Sequence, residues 1–295
     1  MIVLDNDVAV QAQLEETIQP LSVAFVIQAT ATAQSALDKL RKETSLLHPL
    51  VLGDRGERAV IAFSDEVRVL QEFTSDADAI ERSIRNLDGR GSGGRLIGAI
   101  GTALRLLEKQ PVQRRRAILL ISEKHDRGST EPLASIVRLA ERVNAVVYGL
   151  SFSPTRTAFA NSAPKYCDPD RKCRRCDCGN CALHCDRERP DAVPDHKPGA
   201  FDILGIFVEL KRQTQPNVPA ALAKLTGGET WDFVRRQGLA GTVQRIGDDL
   251  HRQYVLTFPM GRTAPGTYHK IRVSIPDRSD LSIRTRSGYY EPADE

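Results

Sequence analysis

The stretch Leu21 to Gln34, LSVAFVIQATATAQ, limits what this chain can fold into more than any other. Leu21 to Ile27 is an unbroken apolar run dense in β-branched and aromatic side chains. That is the composition of a strand buried on both faces, as in the middle of a parallel sheet. The run stops at Gln28-Ala29-Thr30-Ala31-Thr32, and Ser35 to Leu47 then carries apolar residues at helical spacing (Ala36, Leu37, Leu40, Leu46, Leu47). A buried strand, a short hydroxyl-bearing turn and a helix define the carboxyl edge of an open α/β sheet, where such folds place their ligands.

The same pattern recurs downstream. Arg58 to Phe63 reads as a second buried strand, and Glu66 to Phe73 alternates like an antiparallel edge strand with one wet face. Thr74-Ser75-Asp76 predicts the cap of a helix over Ala77 to Leu87. The turn GRGSGGR (89–95) leads into a helix over Leu96 to Glu108 whose small residues (Gly98, Ala99, Gly101, Ala103) let it lie close on a sheet. AILLIS, ending at Ser122, is a third buried strand. A helix over Pro132 to Val143 and the strand AVVYGLSF follow. Strands alternating with helices predict an α/β fold, a doubly wound, mostly parallel sheet with helices on both faces.

From Ser153 to Ala200 the pattern collapses into Pro, Asp, Lys, Arg and Cys, which marks 153–200 as a Cys-rich insertion. Periodicity returns at Phe201 to Leu210, and helices are expected over Val218 to Leu225 and Thr242 to His251. The core therefore spans 20–152 and 201–252. Tyr254 to Phe258 reads as a strand, and the tail alternates on both sides of Pro276-Asp277-Arg278-Ser279 as an antiparallel hairpin would, so that 253–295 forms a C-terminal β extension. Residues 2–20 alternate weakly around Asp5-Asn6-Asp7, like an edge strand or hairpin.

Composition excludes some function classes. A formal charge of +3 and 5% aromatic residues give no reason to expect nucleic acid or a membrane surface as partner. No apolar run approaches the roughly 18 residues of a membrane-inserted helix. The N-terminus lacks a basic segment followed by an apolar one, so no signal peptide is expected in this chain.

The order of elements resembles a von Willebrand factor type A domain, in the group of related proteins found in bacteria such as acidobacteria. The likeness is carried by PLSVAFVI, RAVIAFSDEVRVLQEFTSD, GSGGRLIGAIGTAL, AILLISEKHDRGS, LAKLTGG, RQYVLTF and YHKIRVSI with RTRSGYY. The resemblance implies that residues 1–19 are the remnant of a preceding β-rich region, and that the chain is truncated or begins at a late start codon. The resembling proteins are largely exported.

Such domains normally carry a metal-ion-dependent adhesion site: Asp-x-Ser-x-Ser after the first strand, a Thr before a later helix and an Asp after the third long strand. The matching positions here are Gln28, Thr30, Thr32, Gly94 and Glu123. Gln28 is neutral, Gly94 has no side chain and Glu123 is a methylene longer than Asp. Magnesium needs charge and near-octahedral oxygen geometry. One long carboxylate, with Asp126 nearby, supplies little of either, so the expectation is a degenerate site without magnesium. Thr30 and Thr32 are instead expected to cap the following helix.

Other signals are weighed in the same way. GSGGR before a helix offers backbone N–H groups to an anion, but it lacks the Walker spacing. Arg114-Arg115-Arg116 reads as solvated linker rather than a binding patch. All six cysteines fall in one window, with two C-x2-C pairs: Cys167, Cys173, Cys176, Cys178, Cys181 and Cys185, with His184 inside. Paired thiolates at that spacing suit zinc, although only Asp177 separates the pairs. Zinc through Cys173, Cys176, Cys178 and Cys181, with Cys185, Cys167 or His184 completing the shell, is the first expectation for a cytosolic chain. Three disulfides are the expectation for an exported one, and an iron–sulfur cluster or free thiols stay open.

The histidines are scattered on loops and polar faces, and no nucleophile, base and orienter stand together. The expected function is a non-enzymatic module that binds another protein. The rival is a redox or metal-handling protein that uses the C-x2-C pairs on a scaffold.

Overall fold

The computed structural model describes residues 1–16, 19–42, 56–152, 217–232, 238–259, 266–276, 278 and 281–291. In chain order its strands are β1 (Ile2–Asp5), β2 (Val8–Val10), β3 (Gln13–Glu16), β4 (Leu21–Gln28), β5 (Glu57–Phe63), β6 (Val67–Thr74), β7 (Arg115–Ser122), β8 (Ala145–Ser151), β9 (Thr230–Asp232), β10 (Tyr254–Thr257), β11 (Tyr268–Ser274) and β12 (Gly288–Tyr290). Its helices are α1 (Gln34–Lys42), α2 (Ala77–Arg85), α3 (Leu96–Glu108), α4 (Leu133–Val143), α5 (Val218–Thr226) and α6 (Gly238–His251).

The central sheet runs β6-β5-β4-β7-β8-β9. All its pairs are parallel except β5 with β6, which is antiparallel and makes β6 the half-wet edge strand that its alternation predicts. β4 lies inside the sheet and every one of its residues is buried. Its alternate side chains feed two cores. Val23, Phe25 and Ile27 face Leu37 and Leu40 of α1, Ile80 and Ile84 of α2 and Ile246 of α6. Ala24 and Val26 face Ile100 and Leu104 of α3, Ile136 of α4 and Leu222 of α5. Helices thus cover both faces, as the near-continuous apolar strands require.

The basic triplet departs from expectation, being neither solvated linker nor an open patch. Arg114 donates to Ser22 Oγ (2.8 Å) and Leu21 O (2.8 Å). Arg115 donates to Leu250 O (2.9 Å) and Gln253 O (2.8 Å) at the end of α6. Arg116 donates to Val143 O (2.9 Å), which closes α4, and to Gln110 O (2.6 Å) just past α3. Helix C-termini leave carbonyls unpaired at the negative pole of the dipole, and guanidinium forks satisfy both needs.

The chain ends form their own strands. β1 and β2 make a hairpin through Asn6 and Asp7, both at positive φ (48° and 65°), the conformation of a tight two-residue turn. β11 pairs with both β1 and β12, and β10 pairs with β3, so the N-terminal strands are completed by C-terminal ones. The tail hairpin is shorter than its alternation predicts. Its second strand is only β12, because the segment before it is drawn onto the body. Arg284 pairs with Glu229 (2.6 Å) and Asp249, and Arg286 donates to Asn144 Oδ1 (2.9 Å) and Glu141 O (2.9 Å). His269 is likewise not on a polar face. It is 2% exposed, bonded through Nδ1 to Asp5 (2.9 Å), and it stacks on Tyr289, whose hydroxyl donates to the same Asp5 (2.9 Å). The stretch Phe201 to Leu210 lies outside the described residues.

Candidate functional site

β4 and β7 run parallel side by side, with Ile27 opposite Ile121, so both deliver their following residues to one edge of the sheet. Gln28 and Glu123 meet there. The Gln28 side chain accepts from Glu123 N (2.8 Å) through Oε1 and donates to Thr30 Oγ1 (3.0 Å) through Nε2. Thr30 and Thr32 share a hydroxyl–hydroxyl bond (3.0 Å), and Thr32 Oγ1 donates to Glu123 Oε1 (2.8 Å). Neither threonine caps α1 as expected. A single 3-10 turn, Ala31–Ala33, precedes that helix, and Thr30, at its N-cap position, makes no side-chain cap bond. Both hydroxyls turn instead toward Gln28 and Glu123, a closed ring of mutual bonds.

Gly94 joins this group through its backbone. It forms a two-way bridge with Arg127, N to O at 2.9 Å and back at 2.8 Å. The bridge brings Arg127 over the buried Gly94, where an added Cβ would lie 3.7 Å from Arg127 Cβ and Nε. The Arg127 guanidinium reaches Glu123 Oε2 with Nη2, while Glu123 itself is 8% exposed. A nearly buried carboxylate is costly unless paired, and here its partner comes from four residues along the same loop.

The glycine turn is filled from within, so it is no open anion cradle. Asp65, on the loop after β5, accepts from Ser92 N (3.3 Å) and Gly93 N (2.8 Å). Gly91, at φ 81°, and Gly93 have no room for a Cβ because Asp65 lies against them. The positive end of α3 is taken too. Asp126 accepts from Ile97 N (2.8 Å), and Ser129 Oγ accepts from Gly98 N (3.0 Å). Asp126 therefore serves a helix N-terminus and is not a second carboxylate beside Glu123.

Residues 24–125 match a family model described as the von Willebrand factor type A domain. That stretch, about a third of the chain, is similar to a von Willebrand factor type A domain. Among solved structures, the conserved hypothetical protein BatB from Bacteroides thetaiotaomicron is similar at 13% identity, over 79% of this chain and 100% of BatB, with a TM-score of 0.48. An aerotolerance-related membrane protein from Bacteroides fragilis NCTC 9343 is similar at 14% identity, over 78% of this chain and 98% of that one, with a TM-score of 0.46. A von Willebrand factor type A protein from Catenulispora acidiphila is similar at 15% identity, over 52% and 37% of the two chains, with a TM-score of 0.42. No curated protein matches the sequence.

The side chains at this edge do not fit the magnesium cage that von Willebrand factor type A domains normally carry. Thr30, Thr32 and Glu123 bond to one another or to Gln28, whose amide brings no charge. Gly94 supplies no side-chain oxygen, and the one carboxylate is already paired with Arg127. A hard, reluctantly dehydrated cation needs several free oxygens in octahedral array. Among the described residues no group of three or more His, Cys, Asp or Glu is placed to hold a metal ion. The whole cysteine window and His184 lie outside the described residues.

Sequence reasoning brought Gln28, Thr30, Thr32, Gly94 and Glu123 together but missed Arg127, Asp65 and Ser129. The Glu123-x3-Arg127 spacing is visible in the sequence. Its pairing is not, because it depends on the bridge across to Gly94.

Proposed function

We propose that the type A domain is a non-enzymatic protein-interaction module that binds its partner through the carboxyl edge of the sheet, without a divalent ion in the contact. The observation that carries this reading is the closed ring Gln28–Thr30–Thr32–Glu123, sealed by Arg127. It keeps the edge's shape by hydrogen bonds and one ion pair, leaving no free oxygen cluster for a cation.

The test uses the whole chain. Thermal melting should be the same in millimolar magnesium and in EDTA, whereas an ion at 100 times its dissociation constant adds about 2.7 kcal/mol. An upward shift abolished by Glu123→Ala overturns the metal-free reading. Partner capture in EDTA should be lost when a bulky residue is placed on the exposed glycine turn (Ser92→Tyr). It should survive a comparable change on β6, such as Val69→Tyr. Capture unaffected by Ser92→Tyr removes the edge as the binding surface.

A further inference from the structure

We infer that Arg127 is itself the cation of this edge and receives an acidic side chain of the partner directly, an inference that rests on the edge being the interaction surface. Three observations lead there. First, the guanidinium is anchored but not used up. Nη2 is held by the nearly buried Glu123, the side chain is 49% exposed, and Nε and Nη1 make no bond among the described residues. An arginine fork held by one arm loses less rotamer freedom on meeting a second carboxylate, and its geometry suits two parallel N–H···O bonds.

Second, the site is cut to fit that side chain. Gly94 is buried under Arg127, and the bridge between their backbones fixes the two together. A threonine at position 94, with two heavy atoms beyond Cβ, would press on the guanidinium. Glycine leaves the space that arginine fills.

Third, the neighbouring carboxylates are already engaged, while Arg127 and Arg95 keep guanidinium N–H groups without a bond among the described residues. Asp65 is held by backbone amides, Asp126 by the start of α3 and Ser129, and Asp232 by Lys124 (3.4 Å). Arg95 is exposed at the other side of the bridge, beside Gly128, and carries no ion pair among the described residues. What the edge leaves open is therefore guanidinium, and its complement is a carboxylate.

The test is a titration of the whole chain, with arginine Nε–H signals read by NMR in EDTA. The probes are N-acetyl-aspartate N-methylamide, its asparagine counterpart and inorganic phosphate. The Arg127 signal, assigned by its loss in Arg127→Lys, should move saturably with the aspartate probe and not with the asparagine one. It should move more than the already paired Arg105 and Arg142, and adding magnesium should change nothing. Read at the Gly94 amide, affinity for the aspartate probe should fall roughly fivefold or more in Arg127→Lys. A similar fall in Gly94→Thr, where all charges remain, reports the crowded guanidinium.

Arg127 moving no more than Arg105, a response that requires magnesium, or a response to phosphate alone overturns the inference. Should Arg127→Lys fail to fold, Arg127→Gln assigns the signal instead; should Gly94→Thr fail, the wild-type titration and the Arg127 variant decide. If Ser92→Tyr still binds the partner, the proposed function falls and this inference falls with it, whatever the probe does at Arg127. If Ser92→Tyr loses the partner while Arg127→Lys keeps it and the probe fails, only this inference falls.

Discussion

Glu141, on α4, is 6% exposed, and neither of its carboxylate oxygens has a hydrogen-bond partner. Burial pushes its carboxyl up to about 7 from an ordinary 4.5, against the pull of Arg286 and Arg138. The Tyr268 hydroxyl, also without a partner, is raised by burial and by Glu141. A carboxyl with a raised folded-state pKa binds a proton more tightly when folded. Its contribution is therefore fully present below the unfolded value and is lost as pH climbs from about 4.5 to about 7. A shift of that size integrates to roughly 3 kcal/mol, and solvent screening near the site reduces it to about 1–2 kcal/mol. Denaturant midpoints should thus fall between pH 5 and pH 8 in the wild type, and the fall should largely vanish in Glu141→Gln. An unchanged slope in the variant would place the titrating group elsewhere. Nothing in the sequence marks Glu141, which sits in an ordinary helix between Ala140 and Arg142. Its burial follows from the tail, which Arg286 clamps over the end of α4.

Among the elements, α3 shows best how far sequence reaches. Its bounds, Leu96–Glu108, coincide with those expected from the glycine turn and the apolar spacing. Its N-terminus, however, has no local cap, since Arg95 offers no side-chain acceptor. The caps come from Asp126 and Ser129 on the loop after β7, a tertiary arrangement that spacing alone does not reveal. Asp126→Ala should cost about 1–2 kcal/mol of stability, the usual toll of a lost N-cap acceptor with its backbone donor left short. Urea unfolding measures it, and Asp126→Asn should recover part of the loss; no loss in Asp126→Ala would mean that Ser129 caps alone. α2 shows the opposite case. Its cap, Asp76, accepts from Asp78 N (2.9 Å) and Ala79 N (3.2 Å), all within one turn, and was readable from sequence. The tail strand was over-read for the reason opposite to α3. Its alternation is real, but Arg284 and Arg286 attach it to the body before β12 and deny it a long ladder.

At the scale of the molecule, one mostly parallel sheet carries two cores, and the terminal strands pair with each other. The apolar strands made that sheet legible, since their burial on both faces leaves few alternatives. The edge was legible as a set of positions only, because the roles of Arg127 and Asp65 arise from contacts between loops. The segment 153–216 departs and returns at this same edge. Phe152 N donates to Ser122 O (3.1 Å), and Val218 N donates to Lys124 O (3.0 Å). Its two attachment points thus stand on either side of Glu123. Replacing 153–200 with a short Gly/Ser linker should leave the melting transition of the sheet in place. If the cysteine spacing means zinc, metal analysis should find about one zinc per intact chain and none after the exchange. Intact disulfides without metal would replace that expectation, and a lost melting transition would show the segment to be part of the frame. Because closing a longer loop costs only a logarithm of its length, chain ends tied to Ser122 and Lys124 set little limit on how many residues join them.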